Sequence, residues 1–540
     1  MQRVLVSLAL VLGVGMVGCN KAVEEQRPAG EAVTAKAVDV RSQVTLESDQ
    51  YVATLDAEST ALAHYTFHDK RYQRDGRPID LVTTDKPQFL PLAIKVDGQN
   101  TTSGWQAEQL GPKAVRFTRT LGDLTLVRKL EVGAGNYQLW STLRVYNRGK
   151  SQHNTQVSIE GNHYLRRADE SGGFLAGRSA MMASGMCMTD EKPQRFERED
   201  IVEEKPVVTG KVLFGSVDTV YFAQAIAADG APFERCSLVG SERGGTADEP
   251  DGALLTVSLS YAPTRIEAGA FATFRQLVYL GPKSPKELSA AGHELRGASY
   301  VGGLPGVDKI AIGLVALLAY IQQHVVGNWG LAIILLTLSV KLVLYPLTAK
   351  SFQSIAAMRR VKPAIDEINA KYADDREKKG AAMMALYKEH KINPFGGCLP
   401  QLLQLPIWWA LYTSLSTNVE LFKRPFFGFW TDLAAPDPFY VLPLALGLLM
   451  WVQQKITPST MDPAQAKMML YLMPAMITSF MLFLPAGLCL YMFTNSVLSI
   501  AQQRFIEYRL AHKHPATQVA SLGAADSSSD TRNGSSPRRT

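Results

Sequence analysis

The strongest constraint in this chain is a long run without charge. From Met468 to Gln503, 36 consecutive residues contain no Asp, Glu, Lys or Arg. As one α-helix the run would measure roughly 54 Å at about 1.5 Å per residue. A bilayer core is only about 30 Å thick, so the length suits two spans of about 18 residues and not one. Leu484-Pro485-Ala486-Gly487 stands at its middle, and Pro followed by Gly is turn chemistry. The sequence therefore predicts a tight helical hairpin there.

Three more stretches behave alike. Between Lys309 and Lys341 the one side chain that could carry a charge near neutral pH is His324. Lys391 to Glu420 and Asp437 to Lys455 enclose no charge. Together these runs predict five spans, at 328–347, 397–417, 438–455, 468–484 and 486–504. Val307, Ile310, Ala311, Leu314, Leu318 and Ile321 recur at helical spacing just before the first. Their apolar part is short, which predicts an amphipathic helix over 304–325 lying on the membrane. Asn328-Trp329 marks an interface, where Trp is favoured.

The N-terminus carries a further apolar run, Val4 to Gly18, after Arg3. Residues 1–19 read either as an uncleaved signal anchor or as a lipoprotein signal cut before Cys19, which would then be lipidated. Both send the following segment out of the cytoplasm. The loop 350–392 holds ten basic residues: Lys350, Arg359, Arg360, Lys362, Lys371, Arg376, Lys378, Lys379, Lys388 and Lys391. The loop 418–437 holds only Lys423 and Arg424. By the positive-inside rule, loop 350–392 and the C-terminus are cytoplasmic and residues 20–306 lie outside, in the periplasm of a two-membrane cell.

Composition enters only here. With 46% apolar and 20% charged residues and a mean hydropathy of −0.02, the 540-residue chain has a soluble protein's average. That average conceals two unlike parts, because the apolar runs hold almost none of the charge, which lies elsewhere, chiefly in 20–300. The net charge of +6 is small for this length, so no sequence-specific nucleic-acid binding is implied. Residues 20–41 read as a linker, and 42–300 as a β-sandwich domain. Within it Leu139, Ser141, Leu143 and Val145 alternate with Trp140, Thr142, Arg144 and Tyr146. Gly133-Ala134-Gly135-Asn136 joins that strand to one over Leu124–Val132 as a hairpin. Leu254–Tyr261 and Phe271–Leu280 read as further strands. The highly charged 191–206 reads as a solvated loop. His64, His68, His153 and His163 lack metal-ligand spacing, and no metal site is expected. Cys187 and Cys236 share the oxidising side, which permits a disulfide. Cys398 and Cys489 fall in spans and read as packing residues.

Polar residues inside the spans carry the functional signal. Lys341 lies 12 residues beyond Trp329, roughly 18 Å deep at about 1.5 Å per residue. A charge near the bilayer centre costs about 2.5–3.5 kcal/mol on insertion scales. It either snorkels to the cytoplasmic headgroups or sits in a water-filled pocket open to the cytoplasm. Thr337 lies one turn earlier on the same face. Gln404 falls in the second span, and Thr494 and Asn495 in the last. No predicted span contains Asp or Glu, whereas ion-coupled transporters use intramembrane carboxylates.

Asn393-Pro394-Phe395-Gly396-Gly397-Cys398-Leu399-Pro400, followed by Gln404-Leu405-Pro406-Ile407, resembles the YidC-type membrane protein insertases of the YidC/Oxa/Alb family. Gly327-Asn328-Trp329-Gly330, Tyr345-Pro346-Leu347-Thr348, Met383 to Lys388, Asp437-Pro438, Leu484 to Leu488 and Gln502-Gln503 are similar too. The resemblance is dense over 304–510 and looser over 40–300, where Gly281-Pro282-Lys283 is similar. It implies a multi-domain chain: an all-β periplasmic supersandwich, then an all-α polytopic membrane core (326–510) of five spans with a cytoplasmic helical hairpin, and a disordered tail (511–540).

The resemblance also implies an inner-membrane insertase and chaperone, not an enzyme, without cofactor. Its partners would be nascent membrane proteins, the Sec translocon, the ribosome and anionic lipids. A hydrophilic groove open to cytoplasm and lipid would be lined by Lys341, Thr337, Gln404, Tyr491, Thr494 and Asn495, with Met492 and Leu488 as a slide surface. Where the family typically has Arg, this chain has Lys341, which keeps the charge without the guanidinium fork. Met492 stands where a second Tyr is common. Phe352, Ile355, Val361, Ile365, Ile368 and Tyr372 give the basic loop an apolar face, followed by a helix over about 376–390. This reads either as a solvated hairpin or as the family's mobile substrate- and ribosome-facing element.

Two rivals remain. A small-solute channel or transporter predicts flux through liposomes. A membrane-anchored periplasmic sugar-binding protein predicts sugar binding by 42–290 and dispensable spans.

Overall fold

The structure, a computed structural model, describes residues 43–74, 76–167, 183–244, 251–299, 307–372, 375–390, 399–456 and 463–513. The N-terminal segment with Cys19, most of the Asn393–Pro400 motif including Cys398, and the tail from 514 lie outside the described residues.

From 43 to 282 the chain is β-rich. A three-stranded sheet (Gln43–Glu47, Tyr51–Asp56, Leu62–Phe67) packs on a fourteen-stranded one, and every named pairing is antiparallel. The predicted hairpin is present: Leu124–Val132 pairs with Gln138–Asn147, setting Leu130 opposite Ser141 and Val132 opposite Leu139. Leu139, Ser141, Leu143 and Val145 are buried while Trp140, Thr142, Arg144 and Tyr146 are not, which is the period of two that the sequence displayed. Both sheets contribute to one apolar core, from Leu46, Tyr51 and Tyr65 to Leu259, Phe274 and Leu277.

Two buried cations organise this domain. Arg128, wholly buried, donates through Nη1 to the carbonyls of Thr60 (2.9 Å) and Leu92 (2.9 Å). Thr60 and Leu92 have φ of 59° and 70°, a left-handed conformation that costs a β-branched or bulky residue. One guanidinium thus ties down two strained turns. Lys283, from the Gly281-Pro282-Lys283 stretch, lies 3.6 Å from the buried Asp218 carboxylate, which also faces Arg195 at 3.4 Å. Arg195 in turn donates to the Ala298 carbonyl, just before the chain leaves the domain.

Burial, reinforced by Arg195, pushes the Lys283 ammonium from its ordinary 10.5 down to about 8. Between about pH 8 and 10 the unfolded chain therefore binds more protons than the folded one, and stability rises with pH. Buried tyrosines, held above their ordinary 10.0, oppose the rise at the top of that window. Comparison with Lys283→Met cancels them. The full chain in detergent should show a thermal midpoint that climbs from pH 8 to 10, and the variant a flatter slope. Identical slopes would refute the assignment.

The charged stretch 191–206 is not a solvated loop. It forms a strand, Pro193–Glu197, and a helix, α1 (Arg198–Glu203), with Ile201 fully buried. A capping box between Glu197 and Asp200 starts the helix. The charges sit on its outer side, and one apolar anchor suffices to dock it. Cys187 and Cys236 are bonded to each other. A short helix α2 (Pro285–Ala291) follows the last strand, and Leu295 and Ala298 beyond it are buried in the same core.

The remaining described chain is helical: α3 (Val307–Ile321), α4 (Trp329–Arg360), α5 (Lys362–Lys371), α6 (Arg376–Glu389), α7 (Leu399–Thr417), α8 (Val441–Ile456), α9 (Pro463–Met481) and α10 (Ala486–Lys513). Leu314, Leu318 and Ile321 of α3 pack inward as their spacing predicts. Ile312, Leu317 and Tyr320 are exposed on its other sides. The helix is more apolar all round than its inward stripe suggested. Lys309–Val326 and Trp329–Ser354 are each long and apolar enough to cross a membrane.

Helix α4 does not stop at 347. It runs 32 residues through Pro346 to Arg360 and breaks at Val361, where Pro363 follows in the first turn of α5. Val361 and Ile365 then pack against Met383, Leu386 and Tyr387 in a small core of their own. Helix α8 starts at Val441, not 438, because Asp437 is buried and accepts from the Phe439 (3.1 Å) and Leu442 (2.7 Å) amides. A turn over 482–485 separates α9 from α10 at the predicted Pro485.

Candidate functional site

The helical region packs an apolar core beside the loop 418–440 and carries bonded polar side chains farther along α4 and α10. Its apolar core comprises Leu318 and Ile321 of α3, Trp329, Ile333 and Leu336 of α4, Leu411 and Leu415 of α7, Leu442 and Leu446 of α8, Met481, Leu484, and Leu488 to Tyr491 of α10. In α4, α7, α8 and α10 these residues lie in the half of the helix next to the loop 418–440. The loop 418–440 closes that end. Its Phe426 carbonyl accepts from Asn328 Nδ2 at 2.8 Å, while Asn328 Oδ1 caps α4 through the Leu331 amide at 3.1 Å. Gly330 lies so close to the Phe426 ring that any Cβ would collide with it, which accounts for Asn-Trp-Gly at this helix start. The Gly487 and Ala486 amides donate to the carbonyls of Leu433 (2.9 Å) and Ala435 (2.7 Å).

Beyond the seal, α4 and α10 pack along their length and face each other with polar side chains. Lys341 Nζ donates to Ser499 Oγ at 2.7 Å, and Ser499 Oγ donates to the Asn495 carbonyl at 2.7 Å. Two turns further, Gln502 Nε2 donates to Thr348 Oγ1 at 2.5 Å. On α4 the residues are spaced 341 and 348, and on α10 495, 499 and 502, so each set forms one helical stripe. Helix α7 touches α4 and α10 only sparsely, leaving the Lys341 stripe without a tightly packed third wall among the described residues.

The expected residues distribute as follows. Lys341 and Asn495 are half-buried; Lys341 reaches Ser499, whose hydroxyl bonds back to the main-chain carbonyl of Asn495 in its own helix, so the Asn495 side chain is placed on the same stripe without being bonded to Lys341. Thr337 is 1% exposed and donates to its own helix at the Ile333 carbonyl (2.7 Å), an internal bond that leaves it in the packed part. Thr494 and Tyr491 are buried, Tyr491 within the apolar core. Gln404 belongs to α7, as does Pro400, and the side chains of both lie outside the described residues. Asn393, Pro394, Gly396 and Gly397 lie outside them too. Pro406 is on an exposed side of α7. Leu488 must be removed from the slide surface: it is 0% exposed, packed behind the closing loop at the sealed end. Met492 is half-buried against the same core.

Ser499, Thr348 and Gln502 were not among the expected site residues. The signal was available, since Ser499 follows Asn495 by four residues and Tyr491 by eight, one face of one helix.

A family model described as the YidC periplasmic domain matches residues 43–304, and one described as 60Kd inner membrane protein matches 321–513. A membrane protein insertase YidC of Anaeromyxobacter sp. (strain Fw109-5) is 36% identical over 483 residues, 86% of this chain and 85% of that protein. One from Nitratidesulfovibrio vulgaris (strain DP4) is 34% identical over 505 residues, 88% of this chain and 89% of that protein. Among solved structures, an active YidC insertase with its first transmembrane domain resolved aligns over 87% of this chain and 94% of that chain, with a TM-score of 0.38 and 17% identity.

Proposed function

The chain belongs to the YidC family of membrane protein insertases, and from that premise we propose how its own residues perform insertion. It is an inner-membrane protein and no enzyme: it moves nascent membrane proteins into the bilayer, and no bond of the cargo is made or broken. Helices α4, α7, α8, α9 and α10 serve as five spans, with α3 at the interface. The β-domain stands in the periplasm, and the α5–α6 hairpin stands in the cytoplasm with the basic end of α10. The single observation that carries the mechanism is the Lys341–Ser499 hydrogen bond between α4 and α10, set farther along both helices than their apolar core.

A segment entering from the cytoplasm carries polar groups that cost several kcal/mol each to strip of water in hydrocarbon. A wet half-channel beside Lys341 spares most of that cost for part of the path. The ammonium attracts acidic or polar flanks, Gln404 and Asn495 offer exchangeable hydrogen bonds, and Met492 gives a soft apolar contact. Apolar residues then leave sideways into lipid, at about 25 cal/mol per Å² of surface removed from water. The seal keeps the path one-sided. Exposed basic residues on α5 and α6 give anionic lipids and ribosomal RNA a surface to meet, and a Sec translocon can hand over segments from the membrane side.

Complementation tests this reading. In cells depleted of their insertase, the full chain and Lys341→Arg should restore growth and insertion, and Lys341→Glu should not. Growth with Lys341→Glu, at equal protein level, would reject the groove charge.

A further inference from the structure

The loop 418–437 belongs to two cores at once. On one side Val419 is buried in the core of the β-domain, and Phe422 packs against it. The Phe422 ring centroid lies 5.1 Å from that of Tyr221, 6.1 Å from Phe222 and 6.2 Å from Tyr72. Lys423 donates through Nζ to the Gln73 carbonyl. Glu420 and Arg424 of the loop act electrostatically on Arg71 and Asp69 of the β-domain, opposite charge on opposite charge. On the other side Leu421, Trp430 and Leu433 are buried among Trp329, Ile333, Leu484 and Leu488 of the helices. Neighbouring residues, Leu421 and Phe422, point into different cores. The same loop carries the carbonyls that hold Asn328, Ala486 and Gly487.

Such a segment has no stable way to keep one face docked while the other is bare. Lifting the β-domain would put Val419 and Phe422 into water, and the loop would lose the support that holds its backbone against α4 and α10. We propose that Phe422 is a positioning residue. Seated in the Tyr72–Tyr221–Phe222 cradle, it makes the β-domain a clamp that holds the outer end of the membrane core closed. This rests on the reading of the core as closed at that end, and it assigns the closure a cause outside the membrane.

Hydrogen exchange on the full chain in lipid nanodiscs tests it, comparing the parent with Phe422→Ser and Phe422→Trp. With the serine, the amides of Ala486 and Gly487 should exchange at least about tenfold faster, because their acceptors sit on the loosened loop. The amides of 139–145, deep in the sheet, should not change, and tryptophan should restore protection. Unchanged exchange at Ala486 and Gly487 in Phe422→Ser overturns the proposal. If that variant does not fold, Tyr221→Leu removes the cradle from the other side and must give the same acceleration; protection at the parental level overturns the proposal. Lys341→Glu separates the two readings. It should impair insertion with those amides still protected, so failure of the groove mechanism and failure of the clamp appear in different measurements.

Discussion

Lys341→Glu should slow insertion of test segments into proteoliposomes at least about tenfold, while Lys341→Arg stays near the parental rate. A tenfold loss corresponds to about 1.4 kcal/mol. Two unit charges about 5 Å apart at an effective dielectric of about 20 interact by roughly 3 kcal/mol, so reversing the sign supplies the loss even after water in the groove screens much of it. Segments with acidic flanks should suffer most and those with neutral flanks least. The Ser499 hydroxyl, 2.7 Å from Nζ, can accept from either a lysine or an arginine, which is why the charge and not the headgroup shape should govern the rate. Ser499→Ala should have a smaller effect than Lys341→Glu, since it removes a partner and leaves the charge. Protease protection of the inserted segment is the measurement. Equal rates for Lys341→Glu and parent across acidic substrates would end the electrostatic mechanism.

Loss of the Cys187–Cys236 bond should destabilise the β-domain by about 2–4 kcal/mol. The bond closes a loop of 49 residues, and the chain-entropy argument puts the upper end near 4 kcal/mol for such a loop. Both sulfurs are fully buried, so reductant should act only as the domain opens. Cys187 sits on the strand Ser184–Thr189 and Cys236 on Phe233–Arg243, and both strands pair with Val207–Asp218 between them. A Cβ on Gly215 of that middle strand would come within 3.1 Å of the Cys236 sulfur, so the glycine leaves room for the bridge. The double variant Cys187→Ser, Cys236→Ser in the full chain should melt lower by a corresponding amount. Denatured parent protein should gain two thiols on reduction. Equal thiol counts before and after reduction would disprove the bridge.

The membrane region was legible because hydrocarbon tolerates so few charges that their absence outlines each apolar helix. Strands such as Gln138–Asn147 were legible because one face meets a core and the other water. Boundaries were less so. The start of α8 depends on Asp437 reaching back to two amides, and the end of α4 on Pro363 rather than on the first basic residue. Stretch 191–206 was misread because ten charges outweigh one isoleucine in any average, while a single buried Ile201 decides the structure. Ser499 was passed over because a serine alone in an apolar helix usually bonds its own backbone; only its spacing from Asn495, and Lys341 opposite, give it meaning. The double allegiance of loop 418–437 has no periodicity to betray it. Arg128 was passed over as well, although it stands at an inward position between Leu126 and Leu130 of an alternating strand.

Helix α4 carries Asn328 and Gly330 at its closed end and Lys341 farther along one unbroken rod. From Trp329 the charge lies roughly 18 Å along the axis at about 1.5 Å per residue. Nothing between them can flex to change that depth. A charge held at one depth should favour an opposite charge at one position along a segment over the same charge placed elsewhere. A single Asp walked through a model segment should give an insertion maximum at one position, and the maximum should shift by about a turn if Lys341 is exchanged with a residue one turn away. A flat profile would mean that the charge is felt everywhere and sets no depth.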